Sequence, residues 1–171
     1  SNFGDARLYR INIKEQTAEL FVDGQAIGMK DAGNCVVDNE DTVWVNEVKG
    51  CKIWRFDNKG KSILTLGDGK PGFQNHTTDF DKARFSWIYD IRRGPDGNIY
   101  VLDSKNFAVR MINLKHQVVS TIAGTGKAGY EGDNGKASNA TFGSDPSARF
   151  DGPISLSLDE EGNVFAGDRM N

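Results

Sequence analysis

The segment FQNHTTDFD (73–81) holds the side chains with the clearest potential for metal chemistry. His76 stands close to Asp79 and Asp81. Imidazole and carboxylate groups are ligands for Zn²⁺ or Ca²⁺. The only other histidine, His116, lies in NLKHQ, and a single histidine makes a weak site. We therefore predict a solvated loop histidine at position 76 and no bound metal or other cofactor, with Ca²⁺ or Zn²⁺ as the alternative.

A glycine-rich stretch, STIAGTGKAGYEGDNGKASNATF (120–142), raises the question of phosphate binding. Phosphate loops need GxxxxGK[ST] or GxGxxG between a strand and a helix. Here Lys127 is followed by Ala128, and no helical pattern comes next. The EGDNG segment groups Asp133 and Asn134 as calcium loops do, but without the regular Asp-x-Asp spacing. Turn formation is the favoured interpretation of the EGDNG segment, and a connection between strands is favoured for the whole stretch.

Composition narrows the function classes further. The chain has 171 residues and a formal net charge of −3, which makes nucleic acid an unfavoured partner. No apolar run approaches the roughly 18 residues of a membrane span. No GxSxG motif occurs, and no Ser-His-Asp order is identifiable. Cys35 and Cys51 could form a disulfide, although two buried free thiols are the favoured interpretation.

The sequence contains internal repeats, and the structure that these repeats form must hold the side chains of any functional site. GNIY (97–100) recurs 65 positions later as GNVF (162–165), and Asp103 then falls on Asp168. With the same spacing, Phe85 falls on Phe150. A weaker copy aligns 56 positions earlier and places Trp44 on Tyr100 and Ile53 on Val109. The opening stretch, 7–22, matches only the second half of such a unit. Periods in this range are typical of solenoids and propellers.

Each repeat is predicted to form four short strands. SWIYDIRR alternates apolar and polar side chains, which is the period of a half-buried strand. NIYVLD follows after the turn signal GPDG, and FAVRMINL and QVVSTIAG come next. No segment shows helical spacing over three turns. The fold class is therefore predicted to be all-β, with repeated four-stranded units that suggest propeller blades.

The middle copy, IYDIRRGPDGNIYVLDSKNFAVRMI, resembles an NHL repeat. The glycine-rich connection followed by FDGPISLSLDEEGNVFAGDRMN also resembles this family, and the resemblance covers about residues 34–171. It implies blades of a six-bladed or similar propeller, in a bacterial protein of uncharacterised, secreted or cell-envelope type. The chain departs from the pattern at EDTVWVNEVKGCK, and DPSARFDG (145–152) looks like an insertion.

The number of predicted blades indicates that the chain forms half of a six-bladed propeller. An outer pair of strands is expected at 6–22, full blades at 34–67 and 86–123, and an inner pair at 153–168. These pieces make one partial domain of about three four-stranded blades, whereas a closed propeller needs at least four. The chain is therefore expected to be a fragment of a longer one. The alternative is that identical chains complete each other's ring.

Propeller topology sorts the loops into two faces. Connections between blades, and those between second and third strands, are expected on one face, at the mouth of the central channel. The ligand-binding candidates expected on that face are His76, Asp79, Asp103, Asn106, Asp133, Asn134, Asp168 and Arg169. No catalytic residue is identified. The favoured function is a binding module for a protein, peptide or glycan, and the alternative is a propeller hydrolase or lyase. An extracytoplasmic location is expected from the resemblance.

Overall fold

The strands follow each other along the chain as antiparallel hairpins. The computed structural model describes residues 5–148 and 151–169. Helical structure in these two ranges is limited to short 3-10 turns, none long or apolar enough to cross a membrane. The strands are β1 (Arg7–Asn12), β2 (Thr17–Asp23), β3 (Cys35–Val37), β4 (Val43–Asn46), β5 (Ile53–Phe56), β6 (Ser62–Leu66), β7 (His76–Thr77), β8 (Ile88–Arg93), β9 (Ile99–Asp103), β10 (Ala108–Asn113), β11 (Val118–Ala123), β12 (Pro153–Leu158) and β13 (Val164–Asp168).

These strands form four separate antiparallel sheets. The first holds β1 and β2, the second runs β3-β4-β5-β6, the third runs β7-β11-β10-β9-β8, and the last holds β12 and β13. The prediction of an all-β fold built as a partial propeller is confirmed. Strand β7 was not predicted. It adds a fifth strand to the third sheet, where His76 pairs with Ser120 and Thr77 pairs with Val119.

Local turn chemistry explains the hairpins that begin two of the units. Gly97 has φ +80° and Gly162 has φ +88°, a region that glycine enters without a steric cost. Each of them closes a tight turn, between β8 and β9 in one unit and between β12 and β13 in the other. The same residue type at the same repeat position therefore forms the same turn.

The hydrophobic core lies between the sheets. Trp44, Ile53 and Leu66 of the second sheet pack in one cluster with Ile88 and Ile91 of the third, and all five are fully buried. Burial of such side chains contributes about 1.5–3 kcal/mol each. Two further clusters join the first sheet to the second and the third sheet to β12–β13. Each sheet is thus stabilised by its neighbours, as expected of stacked blades.

The two cysteines form no disulfide. Cys35 lies exposed on β3 and Cys51 is buried, and both thiols are free. The prediction of two free thiols is confirmed, but burial holds only for Cys51. The proposed match of Phe85 with Phe150 falls partly outside the described residues, because position 150 is not among them.

Candidate binding face

Asp103 and Asn106, two predicted site residues, are brought together in a buried polar cluster. Asp103 ends β9 and is fully buried. Its carboxylate accepts hydrogen bonds from the Ser86 N–H at 2.6 Å, from Asn106 Nδ2 at 2.9 Å and from Arg110 Nη1 at 2.9 Å. Asn106 Nδ2 also donates to the Gly72 carbonyl at 2.7 Å. Burial raises the pKa of Asp103 to about 6, while Arg110 and these hydrogen bonds oppose the rise.

Arg110 extends this cluster to the connection between two blades. Its guanidinium is fully buried and donates to the carbonyls of Gln74 and, at 3.2 Å, of Arg84. The rings of Phe73 and Phe85 lie 5.5 Å and 5.6 Å from it. Buried charges are stable only when they are paired and hydrogen-bonded. Both Nη atoms of Arg110 meet these conditions, whereas its buried Nε has no hydrogen-bond partner. The cluster therefore holds the 72–74 connection in place rather than offering groups to a ligand.

The connection that leads into β12 is fixed in a similar way. Asp151 is fully buried and accepts hydrogen bonds from the N–H groups of Ser144, Asp145 and Gly152. Lys105 donates to backbone carbonyls of the same connection. One carboxylate thus holds the described residues on both sides of the segment that the sequence analysis interpreted as an insertion.

Asp168 and Arg169 lie at the same end of the blades as Asp103. Asp168 accepts a hydrogen bond from the Gly143 N–H at 2.7 Å, and the Arg169 N–H donates to the Gly152 carbonyl at 3.5 Å. Gly152 in turn lies against the carbonyl of Ser104, next to Asp103. We call this end of the blades the loop face. It comprises residues 104–107, 124–148 and 151–152 together with Asp168 and Arg169.

His76 and Asp79 do not belong to the loop face. His76 is exposed on β7, opposite Ser120 at the outer edge of the third sheet. Asp79 lines a cleft with Leu114 and Gln117, which form the turn at the opposite end of β10. Its side chain pairs with Lys82 at 2.8 Å, and this hydrogen bond lowers the pKa of Asp79. The sequence analysis assumed that a connection between blades stays on one face, but this one runs down the sheet edge as β7.

Asp133 and Asn134 lie at the tip of an exposed loop of residues 129–141, which projects from the loop face and which we call the excursion. Asn134 has φ +60° in a turn closed by a hydrogen bond from the Gly135 N–H to the Gly132 carbonyl. At the base of the excursion, the Glu131 N–H donates to Thr141 Oγ1 at 2.7 Å. Across residues 5–148 and 151–169, no three His, Cys, Asp or Glu side chains are grouped to hold a metal ion.

Sequence reasoning missed Asp90, which joins three innermost strands. Asp90 is buried on β8 and accepts from Asn34 Nδ2 at 2.7 Å, just before β3, and from the Leu156 N–H of β12 at 2.9 Å. It also forms an ion pair with Arg92 at 2.6 Å. The repeat spacings place Asn34, Asp90 and Ser155 at one position, and all three are polar. This recurrence is the signal that could have found Asp90.

Comparisons with known proteins give the class of fold. No protein-family model matches the chain. A protein of unknown function from Bacteroides thetaiotaomicron superposes with a TM-score of 0.75 at 19% identity, over 96% of this chain and 40% of that one. An auxiliary nutrient binding protein from the same organism gives a TM-score of 0.70 at 20% identity, over 98% and 41%. A virginiamycin B lyase from Staphylococcus aureus gives a TM-score of 0.59 at 12% identity, over 98% of this chain and 58% of that one.

One curated protein is also similar in sequence. Protein SUPPRESSOR OF QUENCHING 1, chloroplastic, from Arabidopsis thaliana is 34% identical over 76 residues, which are 44% of this chain and 6% of that protein. The chain therefore spans less than two thirds of the length of each of these proteins. The chain has the fold of part of a β-propeller. The resemblance to NHL-type propellers is confirmed at the level of the fold.

Proposed function

We propose that the chain is part of a binding module that recognises a protein, peptide or glycan on the loop face. One observation carries the proposal. The 129–141 excursion has a hydrogen-bonded base. It exposes an aromatic ring at that base, from Tyr130, and a carboxylate and an amide at its tip, from Asp133 and Asn134. Tyr130 is 66% exposed. An exposed amphipathic aromatic ring on the same loop as polar groups suits such ligands, because it contributes contact area at a low cost in conformational entropy.

The fixed base of the loop face supports the same proposal. Binding costs less free energy when the contact residues are already ordered. The carboxylates of Asp103 and Asp151 order the connections that surround the excursion, although neither is exposed to a ligand. The proposal includes the extracytoplasmic location implied by the NHL resemblance. A nutrient binding protein among the structural matches is consistent with a binding role.

A propeller lyase or hydrolase is the second candidate. The likeness to the staphylococcal virginiamycin B lyase favours it. So do the polar residues Asn34, just before β3, and Asp90, on β8, which lie at the inner side of the blades. Such an enzyme would act at the central channel rather than at the excursion. The two candidates therefore predict different effects for substitutions in the excursion.

Glycan and peptide arrays probed with the labelled chain test the proposal. Tyr130→Ala and Asp133→Ala are expected to abolish the signal of any ligand that the wild type retains. His116→Ala is the matched control, because His116 is an exposed residue in the β10–β11 turn, at the other end of the blade. A ligand whose binding is unchanged by both excursion variants contradicts the proposal. Conversion of a retained ligand into a new mass, unaffected by both excursion variants, supports the lyase or hydrolase.

A further inference from the structure

The connections that follow β6 and β11 are copies of one another. GDGKPGF (67–73) recurs 57 positions later as GTGKAGY (124–130). At the same spacing, the 3-10 turn Phe80–Lys82 of the first connection recurs as Ala137–Asn139 in the second. The two connections therefore share one backbone fold, and residues 57 positions apart are structurally equivalent.

An exposed aromatic ring occupies the same position in both connections. Phe73 is 41% exposed and Tyr130 is 66% exposed. The Arg110 guanidinium lies 5.5 Å from the centre of the Phe73 ring, and a Cβ added at Gly126 would lie 2.8 Å from that ring. These neighbours hold Phe73 in place, while part of its ring stays open to solvent. Because Gly126 belongs to the loop face, Phe73 lies at the border of that face.

A lysine recurs three positions before each ring. Lys70 and Lys127 are both exposed. Within the part of the chain that the structure describes, neither ammonium group forms an ion pair. Arg84, rather than Lys70, pairs with the nearby Asp68 at 2.6 Å. Each connection thus offers one aromatic ring and one cationic group on the same backbone fold.

The backbone of these connections favours a glycan over a peptide. A peptide that binds by strand addition needs N–H and C=O groups that are not already paired. In the second connection the Gly124 N–H donates to the Ala137 carbonyl at 3.0 Å and the Gly129 N–H to the Phe142 carbonyl at 3.3 Å, and the first connection has the equivalent bonds. Ring faces and ammonium groups remain for recognition. The C–H groups of a pyranose stack on an aromatic face, and an acidic sugar also supplies an anion for a lysine.

We infer that Phe73 and Tyr130 are equivalent stacking positions for a linear acidic glycan. Its carboxylate or sulfate groups pair with Lys70 and Lys127. The inference rests on the proposed function, because it names the ligand class of the loop face, and it adds Phe73 to the binding residues. Gly126 lies against Phe73 and is four residues before Tyr130, so the Cα atoms of Gly126 and Tyr130 are at most about 14 Å apart. A single sugar covers one ring, whereas an oligosaccharide reaches both and gains affinity from the linkage.

Calorimetric titration with two acidic hexasaccharides tests the ligand class and the rings. Hexagalacturonate supplies carboxylates and a heparin hexasaccharide supplies sulfates, and at least one of them is expected to bind. Phe73→Ala and Tyr130→Ala are each expected to raise the dissociation constant about tenfold. Phe73→Leu keeps an apolar contact with Gly126 but removes the ring, so an equal loss in this variant reports on stacking rather than on packing. Tyr9→Ala is the control, because Tyr9 is an exposed ring on β1, outside the two connections.

The salt dependence of binding tests the two lysines. Lys70→Met and Lys127→Met are each expected to raise the dissociation constant about fivefold at low salt and to reduce the loss of affinity on addition of salt, because salt screens exposed charges. Lys115→Met is the matched control and leaves both quantities unchanged, since Lys115 is an exposed lysine in the β10–β11 turn, at the other end of the blade.

Several outcomes overturn the inference. One is a chain that binds neither hexasaccharide, and another is equally tight binding of neutral maltohexaose or of hexaglutamate. A ligand that Tyr130→Ala loses but Phe73→Ala and Phe73→Leu retain also overturns it, and leaves the proposed function standing. A ligand whose binding is unchanged in both Tyr130→Ala and Asp133→Ala contradicts the proposed function itself and this inference with it.

Discussion

Removal of the buried guanidinium in Arg110→Met is expected to destabilise the fold strongly. The variant leaves the fully buried Asp103 carboxylate without its counter-ion and deprives the carbonyls of Gln74 and Arg84 of a donor. Breaking a buried ion pair on one side costs about 3–5 kcal/mol. Methionine keeps the apolar stem of arginine and leaves only the space of the guanidinium empty, so the loss reports mainly on the charge and the hydrogen bonds.

The cost of this substitution is expected to depend on pH. Burial already raises the pKa of Asp103 to about 6 in the folded chain, above its ordinary value of 3.8. Arg110 lowers this pKa, so the pKa is higher still in the variant. Because the pKa of Asp103 is higher in the folded chain than in the unfolded chain, the protonated carboxyl stabilises the fold at low pH. This stabilisation is lost as the pH rises through the pKa of the folded chain. The difference in stability between wild type and variant should therefore be larger at pH 8 than at pH 5.

Urea titrations followed by tryptophan fluorescence measure the effect at both pH values, since Trp44 and Trp54 are buried. Lys105→Met is the matched control. It removes a nearby cation that donates to the backbone carbonyls of Pro146 and Ala148, and we expect a loss of about 1 kcal/mol that is equal at both pH values. A loss below about 1 kcal/mol for Arg110→Met, or one that is the same at pH 8 and pH 5, would refute the reasoning.

Three further substitutions or treatments test other parts of the structure. Gly124→Ala should lower the free energy of unfolding by about 3–5 kcal/mol, because φ is +96° and the added Cβ would lie 2.2 Å from a carbonyl oxygen. Gly28→Ala is the control: φ is +85°, the added Cβ meets no atom, and the expected loss is about 1–2 kcal/mol. The thermal midpoints of the two variants are compared. Asp90→Ala should lower the free energy of unfolding by about 2–4 kcal/mol, since a backbone N–H of β12 loses its acceptor, and Asp90→Asn should recover part of it. In thiol titrations, Cys35 should react in the native protein and Cys51 only after unfolding, because Cys51 is buried and burial raises the pKa of its thiol; equal rates for both would contradict this.

The repeat pattern alone predicted the class of fold. Recurrent GNIY and GNVF segments marked the hairpins that Gly97 and Gly162 close. The half-units at 7–22 and 153–168 predicted the two-stranded sheets at the ends of the chain. These features follow from strand periodicity and turn chemistry, which depend on neighbouring residues and can be recognised in any one repeat.

The roles of individual polar residues were decided by the tertiary structure. Asp103 was predicted as a ligand-binding residue, but Arg110 and the 72–74 connection enclose it. Asp79 was expected on the same face, and β7 carries the chain away from it. Asp90 gains its importance from Asn34 and Leu156, which lie 56 and 66 positions away. Repeat spacing determines where a residue stands in its own blade, whereas its partners come from the neighbouring blades, and only the packed structure brings those together.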